Sequence, residues 1–111
     1  LNSSGAINEQ LDGTWMVESF VEDGEEYMNG EEYTSIEIRF IKQGEDNGQT
    51  LWTYLESDGY TYTYQEDYTL FNDGEILSVD GDNLMVSIND DELRLEGTED
   101  DEDIVIIAVR E

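Results

Sequence analysis

Leu84-Met85-Val86-Ser87-Ile88-Asn89-Asp90-Asp91-Glu92-Leu93-Arg94-Leu95-Glu96 reads as two short strands hinged on a polar turn. Leu84, Val86 and Ile88 fall on one side of the first strand, opposite Met85 and Ser87. Leu93 and Leu95 fall on one side of the second, opposite Glu92, Arg94 and Glu96. Successive side chains of a strand point to opposite faces, so this alternation marks a sheet with one dry and one wet face. Ile36, Ile38 and Phe40 repeat the pattern against Glu37 and Arg39. Beyond Leu11 no stretch sustains the helical period of about 3.6 residues, and the one helical turn falls at residues 6–11.

Turn dipeptides punctuate the chain at Asp12-Gly13, Asp23-Gly24, Asn29-Gly30, Asn47-Gly48, Asp58-Gly59 and Asp73-Gly74. These pairs tolerate the positive φ values of tight hairpins. Between them the chain is rich in Val, Ile, Thr, Tyr, Phe and Trp, which suit a pleated surface. Strands are expected over residues 14–22, 34–43, 50–57, 59–65, 67–71, 75–80, 84–89, 92–97 and 103–110. The fourth and fifth become one strand unless Glu66-Asp67 interrupts them. Short connections make sequence neighbours pair as hairpins, and the longest gap lies at residues 23–33. No helix of crossover length exists, so βαβ units are excluded. The expectation is an all-β, antiparallel up-and-down meander of about eight strands closed into a small barrel, with an open sandwich as the alternative. Ile104-Val105-Ile106-Ile107-Ala108-Val109 is apolar on both faces and is expected to lie between covered surfaces or against the N-terminal turn. The acidic run Glu99-Asp100-Asp101-Glu102-Asp103 before it reads as a solvated loop.

A chain of 111 residues has room for one core, so residues 6–111 are expected to form a single domain behind a tail or linker at residues 1–5. Thirty acidic residues face only Arg39, Lys42, Arg94 and Arg110, for a net charge of −26. Such a field repels phosphate backbones and anionic lipids, which excludes nucleic acid as a partner and docking to an anionic membrane. No apolar run is long enough to span a bilayer as a helix. The charge reads as a solvated coat for solubility, with adaptation to high salt as the alternative, and salt would screen its self-repulsion.

The chain contains neither histidine nor cysteine. The usual general base near neutral pH, the commonest transition-metal ligands, thiol nucleophiles and disulfides are therefore all missing. Carboxylates are so abundant that chance pairs are expected, and none stands out as a glycosidase acid and base. No enzyme, cofactor or metal site is expected. Asp80-Gly81-Asp82-Asn83-Leu84 begins like a calcium loop but breaks the ligand pattern at its fifth position.

The aromatic residues carry the most specific functional signal. Trp52 and Tyr54 share one face of their strand, and Tyr60, Tyr62 and Tyr64 share one face of the next. Joined across Asp58-Gly59, the two strands can stack these rings. With Phe40 they form a candidate platform for a small neutral, apolar or aromatic molecule or a sugar. The alternative is that they fill the interior of a structural or protein-interaction domain.

Leu11-Asp12-Gly13-Thr14-Trp15-Met16-Val17, Asp58-Gly59-Tyr60-Thr61-Tyr62-Thr63-Tyr64 and the terminal Arg110 together resemble the short lipocalin-like domains of secreted bacterial lipoproteins. In the lipocalin superfamily a G-x-W opens the first strand and a basic residue near the end of the barrel packs over the indole. The resemblance implies a calycin-type barrel closed by Gly13, Trp15 and Arg110. It also implies an extracytoplasmic setting, periplasmic or at the cell surface, and a monomeric, non-enzymatic binding domain is expected. On that resemblance, Leu1-Asn2-Ser3-Ser4-Gly5 reads as a tail behind a removed targeting segment or an upstream lipid anchor. Neither the C-terminal helix nor the disulfides of longer lipocalins are expected within these 111 residues.

Overall fold

The computed structural model describes residues 4–111. A helix, α1 (Ser4–Leu11), leads into strands β1 (Gly13–Glu22), β2 (Glu25–Glu26), β3 (Tyr33–Lys42), β4 (Asn47–Glu56), β5 (Thr61–Phe71), β6 (Ile76–Val79), β7 (Asp82–Asn89), β8 (Glu92–Glu99) and β9 (Glu102–Arg110). Each long strand pairs antiparallel with the next, and β1 also pairs with β9. The result is an eight-stranded closed meander, with β2 a two-residue ribbon on β1. The closing ladder runs from Trp15 opposite Arg110 to Glu22 opposite Ile104, with one irregularity between Val17 and Ser19.

The alternation decides which side chains enter the barrel. Ile36, Ile38 and Phe40 of β3, Leu93 and Leu95 of β8, and Ile104, Ile106 and Ala108 of β9 are all buried. Met85, on the opposite side of β7 from Leu84, is 66% exposed. An eight-stranded barrel is about wide enough for its own side chains or one small ligand. Here the two ends differ.

One end is plugged, with a side cavity of about 260 Å³ left between Ile7 of α1 and Val86, Ser87 and Ile88 of β7. Helix α1 packs over β3 and β5. Its Asn8, fully buried, donates from Nδ2 to the carbonyls of Gly44 (2.9 Å) and Asn47 (3.1 Å). The Tyr68 hydroxyl donates to Asn8 Oδ1, and burial first of all pushes that phenol up to about 12. Trp15 Nε1 donates to the Leu11 carbonyl at 2.8 Å, and the Arg110 guanidinium lies 4.1 Å from the centre of the Trp15 ring. The guanidinium also donates to the carbonyls of Gln10 and Asp12, which ties the end of the chain to its beginning. Gly13 makes this approach possible: its φ is +124°, and an added Cβ would lie 3.3 Å from an Arg110 nitrogen.

The other end is open because two ladders stop short. β1 pairs with β3 only over Gly13–Met16, and on that side its last two residues, Val21 and Glu22, pair instead with the ribbon β2. The Glu26 carboxylate takes over part of the missing ladder, accepting from the backbone N–H of Phe20 (2.7 Å) and Met28 (3.1 Å) and from the Ser19 hydroxyl. β6 is only four residues long, so β5 meets it from Tyr68 onward and Thr61–Asp67 overhangs.

Several expectations need correction. α1 starts at Ser4 and is eight residues long, so Ser4 and Gly5 belong to a helix and not to the tail, whose first three residues lie outside the described ones. Of the two alternatives left open at Glu66-Asp67, the continuous one holds: residues 61–71 form one strand. Asn47-Gly48 is not a turn: it begins β4, with Gly48 opposite Lys42 and under the Tyr68 ring, where a Cβ would lie 2.7 Å from the phenol oxygen. The acidic run is a tight hairpin and not a loop. Asp100 and Asp101 turn with φ of 51° and 66°, and Glu99 pairs with Glu102. Asp tolerates that left-handed conformation because its short side chain can bond locally. Finally, the outer face of β9 is not covered by α1. Val105, Ile107 and Val109 are half-buried beside Glu96, Arg94 and Glu92 of β8, whose long stems flank them.

Candidate binding site at the open end of the barrel

Period-two patterning continues past the plugged half and carries a second set of side chains into the open one. Phe20 comes from β1, Trp52 and Tyr54 from β4, Tyr62, Tyr64 and Glu66 from β5, and Glu99 from β8. Tyr33 enters from the first residue of β3 and Tyr27 from the segment after β2. They surround two cavities that share Phe20, Tyr54 and Glu99. The inner one, about 90 Å³, reaches Trp52, Val79, Leu84, Ile104 and Ile106, with Glu66, Asp80 and Asp82 on its wall. The outer basin, about 340 Å³, is framed by Tyr27, Tyr33, Tyr54, Tyr62 and Tyr64 together with Glu22 and Glu32.

The rings form one connected array. Trp52 stands opposite Tyr64 and Tyr54 opposite Tyr62 in the β4–β5 ladder. The Tyr54 and Tyr62 rings are stacked, 5.0 Å apart and 14° from parallel. Tyr33 leans on Tyr54 at 5.4 Å, and Tyr64 meets Tyr62 edge-on at 5.3 Å. The Tyr62 hydroxyl donates to that of Tyr33 at 3.2 Å. Trp52 is held by an Nε1 bond to Thr50 Oγ1 (3.0 Å), whose own hydroxyl bonds the Glu66 carbonyl (3.2 Å). Burial pushes the phenols of Tyr54 and Tyr62 well above their ordinary value, so both stay neutral and able to donate.

The carboxylates of the mouth sit uneasily. Burial raises Glu66, and repulsion from Asp80 and Asp82 adds to it. Burial likewise raises Glu99, helped by Asp82, Glu22, Asp100 and Glu66. The basic residues are all elsewhere. Arg110 covers Trp15 at the plugged end, Lys42 pairs with Glu9 at 3.5 Å, Arg94 pairs with Glu96 at 3.2 Å, and Arg39 lies on the outer face of β3. Among the described residues no group of three or more carboxylates is spaced to hold a metal ion.

Of the residues singled out in the sequence, Trp52, Tyr54, Tyr62 and Tyr64 come together at the open end. Tyr60 stands outside on the rim, 63% exposed and 5.8 Å from Tyr62. Phe40 lies at the plugged end against Tyr68, and it lines neither cavity. Gly13, Trp15 and Arg110 sit together at the barrel seam. Reading the sequence missed Phe20, Tyr33, Glu66 and Glu99. The signal was present for the last two: Glu66 follows Tyr62 and Tyr64 at the same two-residue spacing, and Glu99 follows Leu93, Leu95 and Gly97.

No protein-family model and no curated protein matches the sequence. Solved structures do match the fold. A redesigned β-barrel superposes with a TM-score of 0.69 at 14% identity, covering 98% of each chain. The siderocalin Ex-FABP, which functions through dual ligand specificities, superposes with a TM-score of 0.68 at 12% identity, over 92% of this chain and 74% of its own. The fold is lipocalin-like. A lipocalin lipoprotein affecting virulence in Streptococcus pneumoniae is also similar, with a TM-score of 0.46 at 20% identity over 86% of this chain and 89% of its own. In this lipocalin-like barrel the meander ends where it began, at the Trp15–Arg110 pair, and both cavities of the mouth lie at the far end.

Proposed function

We propose that this chain is a non-enzymatic binding protein that takes one small aromatic molecule into the open end of its barrel. The observation that carries this reading is the Tyr54–Tyr62 stack lining a basin of about 340 Å³, which shares Phe20, Tyr54 and Glu99 with a smaller cavity reaching Trp52. A basin of this size is within the range of small-molecule sites, which combine apolar walls with a few placed polar groups. Buried core side chains occupy the middle of the barrel and α1 packs over its other end, so a deep calyx is not part of the reading. Offset stacking on Tyr54 and Tyr62 holds a flat ring, and the neutral phenols orient it.

Titration with N-phenyl-1-naphthylamine, a neutral aromatic probe, tests this. Saturable one-to-one fluorescence enhancement is expected, weakened about 10-fold in a Tyr54→Ala/Tyr62→Ala variant that keeps its far-ultraviolet circular dichroism. Absence of saturable binding, or binding indifferent to that variant, refutes it. The extracytoplasmic setting is proposed on the resemblance of Leu11–Val17 and Arg110 to exported lipocalin-like domains. Cell fractionation of the native protein checks it, and recovery in the cytoplasm overturns it.

A further inference from the structure

We infer that the ligand of this mouth is an organic cation, an aromatic ring bearing a protonated amine, with its ammonium in the inner cavity against Glu66 and Glu99. The inference rests on the binding reading above and specifies its chemistry.

Three observations support it. First, the lining of the inner cavity combines Trp52 and Tyr54 with Glu66, Asp80, Asp82 and Glu99. A ring face and a carboxylate both attract a cation, and the attraction to a ring grows when water is excluded. Second, none of these carboxylates has a basic partner among the described residues, since all four cations of the chain are at the plugged end or on the outer wall. Burial first of all raises both Glu66 and Glu99, with repulsion from Asp80 and Asp82 added at Glu66 and from Asp82, Glu22, Asp100 and Glu66 at Glu99. An incoming cation would relieve this uncompensated negative charge. Third, the two cavities differ in character and share Phe20, Tyr54 and Glu99 as common wall. The small inner one suits an ammonium group, and the outer tyrosine basin suits the ring attached to it. A bare metal ion fits less well, because the carboxylates are not grouped to supply a coordination shell and much of the wall is aromatic.

Calorimetry with three probes of one ring tests the inference: tryptamine (cationic), indole (neutral) and indole-3-acetate (anionic). Tryptamine is expected to bind about 10-fold more tightly than indole, and indole-3-acetate more weakly than either. In a Glu66→Gln/Glu99→Gln variant the tryptamine preference should disappear. In a control variant, Glu92→Gln/Glu96→Gln, the same net charge is removed from the outer face of β8, and the preference should persist. Equal loss in both variants would assign the preference to the overall acidic field and overturn the inference. Displacement of tryptamine by an equal concentration of Ca²⁺ would overturn it in favour of a metal. If the three probes bind alike, or only N-phenyl-1-naphthylamine binds, the cation is wrong and the binding reading stands. If nothing binds, both fall.

Discussion

Replacing Arg110 with alanine removes three attachments at once. Its guanidinium lies 4.1 Å from the centre of the Trp15 ring and donates to the carbonyls of Gln10 and Asp12, joining the last strand to the first and to α1. A partly desolvated cation–π contact contributes about 1 kcal/mol. Two charge-assisted bonds in a half-exposed setting contribute about 1 kcal/mol each. These shared contributions do not add fully, so Arg110→Ala should cost ~2–3 kcal/mol. For a domain of this size that is a fall in Tm of roughly 10 °C. Urea denaturation followed by tryptophan fluorescence measures it directly, with the slope unchanged if only the folded state is affected. Arg110→Lys keeps the charge over the indole but loses the planar fork, and should fall between wild type and alanine. Arg110→Met keeps the stem alone and should lose nearly the full amount. A loss below ~0.5 kcal/mol for Arg110→Ala, or a lysine variant as stable as wild type, would refute the idea that this residue fastens the seam.

Two further predictions concern buried polar groups. Asn8→Ala strands the Tyr68 hydroxyl and leaves the Gly44 carbonyl without its buried donor; a destabilisation of ~2–4 kcal/mol is expected in urea, and the Asn8→Ala/Tyr68→Phe double variant should lose much less than the sum of its parts. The acids of the mouth and of the ribbon respond to pH in opposite senses. Glu66 and Glu99 are raised by burial above their ordinary 4.5, so they bind more protons folded than unfolded, and stability falls as pH rises from that value through their folded pKa. For Glu26 burial pulls upward, but bonds from Ser19, Phe20 and Met28 outweigh it and hold the group below 4.5. Its contribution is present above that value and lost as pH falls through the folded pKa. The urea midpoint should therefore be higher near pH ~5 than near pH ~7, and Glu66→Gln/Glu99→Gln should flatten that decline. A profile rising from ~5 to ~7 would contradict the assignment.

The plugged half of the barrel was legible because each strand there states its facing on its own. Ile36-Glu37-Ile38-Arg39-Phe40 needs no partner to say which side is dry. Trp15 and Arg110 were legible as a pair because they mark the two ends that closure must join. The open half was harder to read. There the inward positions carry tyrosines and glutamates, so polarity no longer distinguishes inside from outside, and it left open whether Glu66-Asp67 interrupts the strand that runs on to Phe71. Glu99 was lost in an acidic run whose two central aspartates form the turn. Asn8 left no trace, because an asparagine on a short helix ordinarily faces water. Only the approach of Tyr68, sixty residues away along the chain, makes it a buried hub. Phe40 looked equivalent to the other aromatics because its height along the barrel is set by register and not by composition.

The two ends of the barrel are coupled through strand length. A strand that reaches the open end without a neighbour must satisfy its backbone some other way or leave it to water. On the β1 side the chain uses the Glu26 carboxylate, which keeps Phe20 in place at the wall shared by both cavities. On the β5 side it leaves Thr61–Asp67 overhanging the short β6, and this brings Tyr62, Tyr64 and Glu66 to the mouth while the Asp80-Gly81 turn stops below them. Lengthening β6 to pair the whole of β5 would complete the ladder and close the opening. The same unmatched strands that weaken the sheet at this end therefore create the space in which a ligand can sit, and the plug at the other end, with Asn8, Trp15 and Arg110 tied to the backbone, supplies the stability that tolerates it.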